Sequence, residues 1–345
     1  MPAKGGADKS AYQKLKKDIA AGTIGTLYIF HGEETYLRDH YLGQLRQKLL
    51  PAGMEDFNYH TLSGKAFDVK ELERLVDCLP MMGERTLIVV NDYDLYKGDK
   101  EGLIQVLSDL PSYVCLVFVY DLIPYKADAR TKLAGVIKEK GSVVPFNRQE
   151  QGDLVDWIFR RFRAMDHDIG TEDARYLIFL CGDLMTTLIS EIGKIGAYAK
   201  HHRVTRADID AVATPQLDAV VFEMTDAIAA GDFDKAAGVL GELLHMQEPP
   251  IKLLAVLGKQ LRQLYSARLA LEDRKGAPYL MELWGMRSAY PAQRLMQSAQ
   301  RFSLSWCRRA VVRCAQTDLA MKSTGADGEE LLIALLMELA VKKQD

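Results

Sequence analysis

Two stretches of this chain, Leu87-Ile88-Val89-Val90 and Cys115-Leu116-Val117-Phe118-Val119, are apolar at every position. A strand with one wet face alternates apolar and polar side chains. An unbroken apolar run therefore needs cover on both faces, the condition of a parallel sheet held between two helical layers. Other β-rich runs fall at residues 26–31, 57–62 and 142–146, and the two apolar runs extend over 86–90 and 114–120. Between them, residues 36–50, 68–79, 100–110 and 127–140 carry helical periodicity. Strands alternating with helices predict a five-stranded α/β domain with a parallel sheet over residues 1–147.

After Phe146 the strand signal stops. Residues 148–213 read as three or four helices broken at Gly170-Thr171, at Cys181-Gly182-Asp183 and at His202-Arg203-Val204-Thr205, with Thr171 and Thr205 expected as N-caps. From 214 to 345 the pattern predicts helices near 217–230, 233–246, 250–273, 291–301, 304–322 and 328–342. A chain of 345 residues exceeds what one core organises, so the expectation is an α/β domain, 1–147, a small helical domain, 148–213, and a larger helical domain, 214–345. The longest apolar run, Val114 to Tyr120, is far below the roughly 20 residues that span a bilayer. The polar start Met1-Pro2-Ala3-Lys4-Gly5-Gly6 lacks the apolar segment of a secretory leader, so a cytoplasmic address without membrane contact is expected. The five cysteines include no C-x-x-C pair and are read as reduced, mostly buried thiols.

An α/β domain followed by helices suggests a nucleotide-dependent enzyme. The first strand, Thr26-Leu27-Tyr28-Ile29-Phe30, could feed a phosphate loop, but His31-Gly32-Glu33-Glu34-Thr35-Tyr36-Leu37 follows it, with one glycine, no lysine and two carboxylates. A phosphate loop needs converging backbone N–H groups and a cation. A like-charge pair roughly 4 Å apart costs about 4 kcal/mol at an effective dielectric near 20, so this loop should repel ATP. Asp92, after the third strand, is either a residual metal ligand or a strand-end turn residue. His201-His202 reads as a solvated pair, because adjacent helical side chains diverge. No catalytic constellation is legible, and neither cofactor nor metal is expected.

Leu27-Tyr28-Ile29-Phe30-His31-Gly32-Glu33-Glu34-Thr35-Tyr36-Leu37 resembles the start of the delta subunit family of the bacterial DNA polymerase III clamp loader, where a strand runs into Gly-Glu-Glu-x-Tyr-Leu. Leu79-Pro80-Met81-Met82-Gly83-Glu84-Arg85 is similar to that family's Leu-Pro, two large apolar residues, Gly-x-Arg segment. Gly182-Asp183-Leu184, Glu191-Ile192-Gly193-Lys194-Ile195, Glu248-Pro249-Pro250-Ile251-Lys252-Leu253-Leu254 and Arg301-Phe302-Ser303-Leu304 continue the resemblance in order along the chain. It implies an AAA+-like first domain without ATPase function, a helical lid and a helical collar that joins a circular assembly. It implies a role within the polymerase holoenzyme: binding the ring-shaped sliding clamp, the beta subunit, and holding it open while gamma/tau and delta-prime neighbours load it onto primed DNA. The clamp contact implied is Leu79, Met81 and Met82, with Met82 standing where the family more commonly has an aromatic residue.

Read from the residues alone, Met81 and Met82 either present flexible thioethers to a partner groove or fold back as core. Leu79 falls on one helical face with Val69, Leu72 and Val76 and is open to the second reading. Residues 251–313 hold 12 Lys/Arg against 3 Asp/Glu. Lys259, Arg262, Arg308, Arg309 and Arg313 are the candidate DNA-contacting residues there, against a plain solvated or salt-bridged face. Trp306 with Phe302, and Cys307 with Cys314, read as helical core. The rival functions are a nucleotide-dependent AAA+ enzyme with a divergent site and a stand-alone DNA-binding protein.

Overall fold

A computed structural model of the chain describes residues 5–50, 53 and 55–341. Met1 to Lys4, on which most of the expectation about a leader rests, lie outside the described residues. The chain divides into two compact units, one reaching to Gln149 and including Leu184–Thr186, the other formed by Glu150–Asp183 and the residues from Thr187 onward.

The first unit is built on five parallel strands, β1 (Leu27–His31), β2 (Tyr59–Ser63), β3 (Thr86–Asn91), β4 (Val114–Val119) and β5 (Ser142–Pro145), in the order β2-β3-β4-β1-β5. β4 is buried along its whole length, as is β3 up to Val90. On one face Ile29, Ile88, Leu116 and Phe118 pack with Leu72 and Val76 of helix Val69–Asp77, Leu103 and Leu107 of Lys100–Ser108, and Leu133 and Ile137 of Lys132–Lys140. Buried residues of helices Gly5–Ala21 and Thr35–Leu49, including Leu15 and Tyr41, complete the core, with Tyr12 and Tyr41 both against Phe146. Helix Gly5–Ala21 was not expected: its apolar face is sparse, and it is rich in lysine. β2 begins later than 57–62 predicts because Glu55–Asn58 forms a helical turn ahead of it.

Among the described residues the second unit is helical apart from one two-residue parallel bridge, Asp168–Ile169 with Arg203–Val204, too short to carry a strand pattern. Its helices are Gln151–Arg163, Thr171–Cys181, Met185–Tyr198, Arg206–Val212, Leu217–Ala230, Phe233–His245, Pro250–Glu272, Ala277–Trp284, Ala289–Ala299, Leu304–Ser323 and Gly328–Val341. Ala277–Trp284 was also not expected. Thr205 caps Arg206–Val212 through a reciprocal box with Asp208. Thr171 is instead the first helical residue, and Gly170 holds the cap position without a side chain to donate to.

Gly258 lets helices Pro250–Glu272 and Leu304–Ser323 approach closely, since a Cβ there would lie 3.0 Å from the Cys314 sulfur. Phe302 and Trp306 stack with centroids 4.1 Å apart, both buried, and the Trp306 indole donates to Leu339 O. Residues on either side of position 213 share contacts: Phe179 meets Phe222 edge-on, while Arg206 lies 3.6 Å from the Tyr176 ring and donates to the Tyr290 hydroxyl. Among the described residues no single helix is long and apolar enough to cross a membrane.

Candidate docking tip and the altered nucleotide loop

The turn from helix Val69–Asp77 into β3 carries the most exposed cluster of large apolar side chains in the first unit. Asp68 caps the helix by accepting from the Lys70 N–H, and Val69, Leu72 and Val76 form its buried stripe. Cys78 ends the helix in extended backbone, and Pro80, which cannot continue it, follows. Beyond that point the stripe does not continue inward. Leu79 is 73% exposed, Met81 56% and Met82 77%.

Hydrogen bonds anchor the backbone of the tip at Met81 and just beyond it at Arg85. Asn58, itself 1% exposed, donates from Nδ2 to Met81 O at 2.8 Å and accepts from the Met81 N–H at 2.7 Å. One side-chain amide thus satisfies both backbone groups of one tip residue, as a β-ladder partner would. Four residues on, Arg85 donates to Ile24 O, Gly25 O and Val114 O. That spreads the guanidinium over the entries to β1 and β4 and fixes where β3 begins. Met82 takes left-handed backbone, φ +54°. Asn58 gave no signal in the sequence; it fell inside the run 57–62 read as a strand, with nothing to mark its side chain as an anchor.

The loop after β1 does not fit a nucleotide. Gly32, φ +123°, is required because a Cβ would lie 2.3 Å from Phe146 O. The N–H groups that would converge on a phosphate are committed elsewhere: Glu34 N–H donates to Phe146 O at 2.8 Å and Thr35 N–H to Glu33 O at 3.1 Å. The Glu34 carboxylate is fully buried and accepts from the Met185 N–H, while Glu33 is exposed and paired with Arg148 at 2.6 Å. Asp92 acts as a loop clasp, its Oδ1 accepting from the N–H groups of Asp121, Leu122 and Ile123. Among the described residues no group of three or more His, Cys, Asp or Glu is placed to hold a metal. His201 and His202 are both exposed.

Three of the five candidate DNA-contacting residues come together. Arg308, Arg309 and Arg313 line a groove of about 830 Å³ with Tyr265, Leu304, Ser305, Val312 and Gln316. Arg313 is held bidentately by Glu338, and Lys259, outside the groove, pairs with Asp218 at 2.6 Å. Arg262 is exposed on helix Pro250–Glu272.

Residues 28–147 match the family model described as DNA polymerase III, delta subunit, and residues 218–339 match that of the DNA polymerase III delta subunit, C-terminal domain. The chain is 25% identical over 343 residues to the DNA polymerase III subunit delta of Bacillus subtilis (strain 168), covering 95% of this chain and 96% of that protein. It is 24% identical over 275 residues to a probable DNA polymerase III subunit delta of Aquifex aeolicus (strain VF5), covering 76% and 77%. The solved structure of the Bacillus subtilis DNA clamp loader delta protein (YqeN) superposes with a TM-score of 0.57 at 21% identity, covering 95% of this chain and 99% of that one.

Two outcomes follow from the geometry. Isothermal calorimetry of the chain with ATP at millimolar concentration will show no binding; a sub-millimolar dissociation constant would revive the nucleotide-dependent enzyme. Asn58→Ala will cost about 1–3 kcal/mol in denaturant unfolding, the loss of two hydrogen bonds from one buried amide. A cost near zero would mean that the tip is held by other contacts.

Proposed function

The chain belongs to the DNA polymerase III delta-subunit family, and on that footing we propose that it binds the sliding clamp through Leu79, Met81 and Met82 and holds the ring open for loading onto primed DNA, without hydrolysing ATP itself. The observation that carries the clamp contact is the tip: large apolar side chains at 56–77% exposure on a turn whose backbone is fixed from both sides. Exposed apolar groups on fixed backbone bind a partner at little cost in ordering. Burying two methionine side chains is worth roughly 1.5–3 kcal/mol each at about 25 cal/mol per Å² of apolar area, enough to dominate a modest interface.

In this reading residues 1–147 carry the clamp contact, 148–213 serve as lid, and 214–345 form the collar that joins the gamma/tau and delta-prime subunits. Exposed apolar side chains in the helical region, among them Leu283, Val312, Leu319 and Met337, support a role in assembly. Arg308 and Arg309, beside Tyr265 in the groove, are the proposed contacts to primed DNA within the assembled complex. Arg313 and Lys259 are held by Glu338 and Asp218 respectively.

Met81→Asp combined with Met82→Asp will weaken clamp binding at least tenfold, measured by surface plasmon resonance, while the melting midpoint stays within about 2 °C. Wild-type affinity in the folded double variant would place the clamp contact elsewhere. Arg308→Ala with Arg309→Ala in the assembled loader will flatten the dependence of log K for primed DNA on log salt by about 2, at roughly 0.9 per phosphate lost. An unchanged slope would return the arginines to a solvated or intersubunit face.

A further inference from the structure

Sulfur is concentrated at the docking tip. Cys78, Met81 and Met82 lie within five residues, all exposed, the two thioethers at 56% and 77%. The remaining cysteines, Cys115, Cys181, Cys307 and Cys314, are buried, and burial pushes their thiols up, that of Cys115 to about 12, which leaves them unreactive. At the tip Asn58 holds both backbone groups of Met81, the residue next to Met82.

We propose that Met81 and Met82 are a modification site for peroxide-class oxidants, and that their conversion to sulfoxides releases the chain from the clamp; this rests on the clamp-contact reading above. The thioether sulfur attacks one peroxide oxygen and the O–O bond breaks. That oxygen stays on sulfur as the sulfoxide, and the other leaves with the two hydrogens as water. Sulfur loses two electrons and the peroxide gains them. The product is a polar, chiral group with a strong acceptor oxygen where an apolar, flexible one had been. Seated in an apolar pocket, that oxygen must either lose its hydrogen bonds to water or keep the side chain out. A leucine or aromatic residue in the same position has no sulfur to oxidise, so the sensitivity is specific to a methionine tip. Adaptable thioethers, which suit a partner groove, here carry a chemical liability in the same atoms.

The full-length chain supplies its own controls. Met246 and Met337 are 72% and 63% exposed in the other unit, so peroxide reaches them as readily without touching the tip. The chain, carrying Cys78→Ser to remove the exposed thiol, is partially oxidised with hydrogen peroxide and passed over immobilised sliding clamp. Bound and unbound fractions are then digested and each methionine is scored for the 16 Da gain by mass spectrometry. Sulfoxide at Met81 or Met82 will be at least tenfold enriched in the unbound fraction, whereas sulfoxide at Met246 and Met337 will divide evenly. Oxidation of the clamp-bound chain will spare Met81 and Met82 relative to the free chain. Equal partitioning of the tip sulfoxides, or failure of Met81 and Met82 to oxidise while Met246 and Met337 do, would overturn the proposal. Failure of the unoxidised chain to bind the clamp at all would instead overturn the clamp reading on which it rests.

Discussion

Burial of β3 and β4 from both sides is the constraint from which the first unit follows. With both faces covered, these two strands meet water only at their ends, so the sheet presents their flanking residues where strands enter and leave. The two edges differ in what they present. At the carboxyl edge lie the loop after β1 and the Asp92 clasp, where carboxylates and committed N–H groups stand in place of a phosphate cradle. At the amino edge lie Arg85, with its three carbonyl partners, and the methionine tip. β3 has six residues, so the edges are about 20 Å apart at roughly 3.3 Å per residue. The altered loop and the methionine tip are thus separated by the length of the sheet.

The tip is held by few but well-placed groups. Asn58 links the entry to β2 with the turn before β3, its strand neighbour, so the sheet's own pairing extends by one side-chain amide into the loop. Arg85 then ties the same loop to the entries of β1 and β4. In the helical unit, fixation comes from apolar packing instead. The Phe302–Trp306 stack and the close approach at Gly258 tie the helices beyond 214 to one another, and the aromatic contacts of Phe179 and Tyr176 join residues 150–183 to them.

The sheet and most of the helices were legible because their signal is carried by many residues at once; no single substitution could hide the apolar run of β4. Helix Gly5–Ala21 was not, since its buried face rests on a few positions in a lysine-rich stretch. Ala277–Trp284 is short, with Leu280 its one buried residue. The candidate site divides along the same line. Met81 and Met82 stood out as adjacent apolar residues after a proline, but the anchor of their turn is Asn58, which is 23 residues from Met81 in sequence and brought beside it by the parallel pairing of β2 and β3. The arginine groove has the same character. A charge count located the basic stretch, while the pairing of Arg313 with Glu338 and of Lys259 with Asp218 appears only once the helices are packed.

Position 82 has a further consequence, for the choice of amino acid. Its left-handed backbone is unfavourable for any residue with a Cβ and most of all for valine, isoleucine and threonine, whose branching crowds the main chain. Asparagine or glycine would relieve the backbone yet offer a partner little apolar surface. Only large apolar side chains that are not branched at Cβ meet both demands, which leaves methionine, leucine and the aromatic residues. A library randomised at this one codon and selected for the clamp binding proposed above should therefore return a narrow alphabet, one that neither a hydrophobicity scale nor a turn propensity would produce alone.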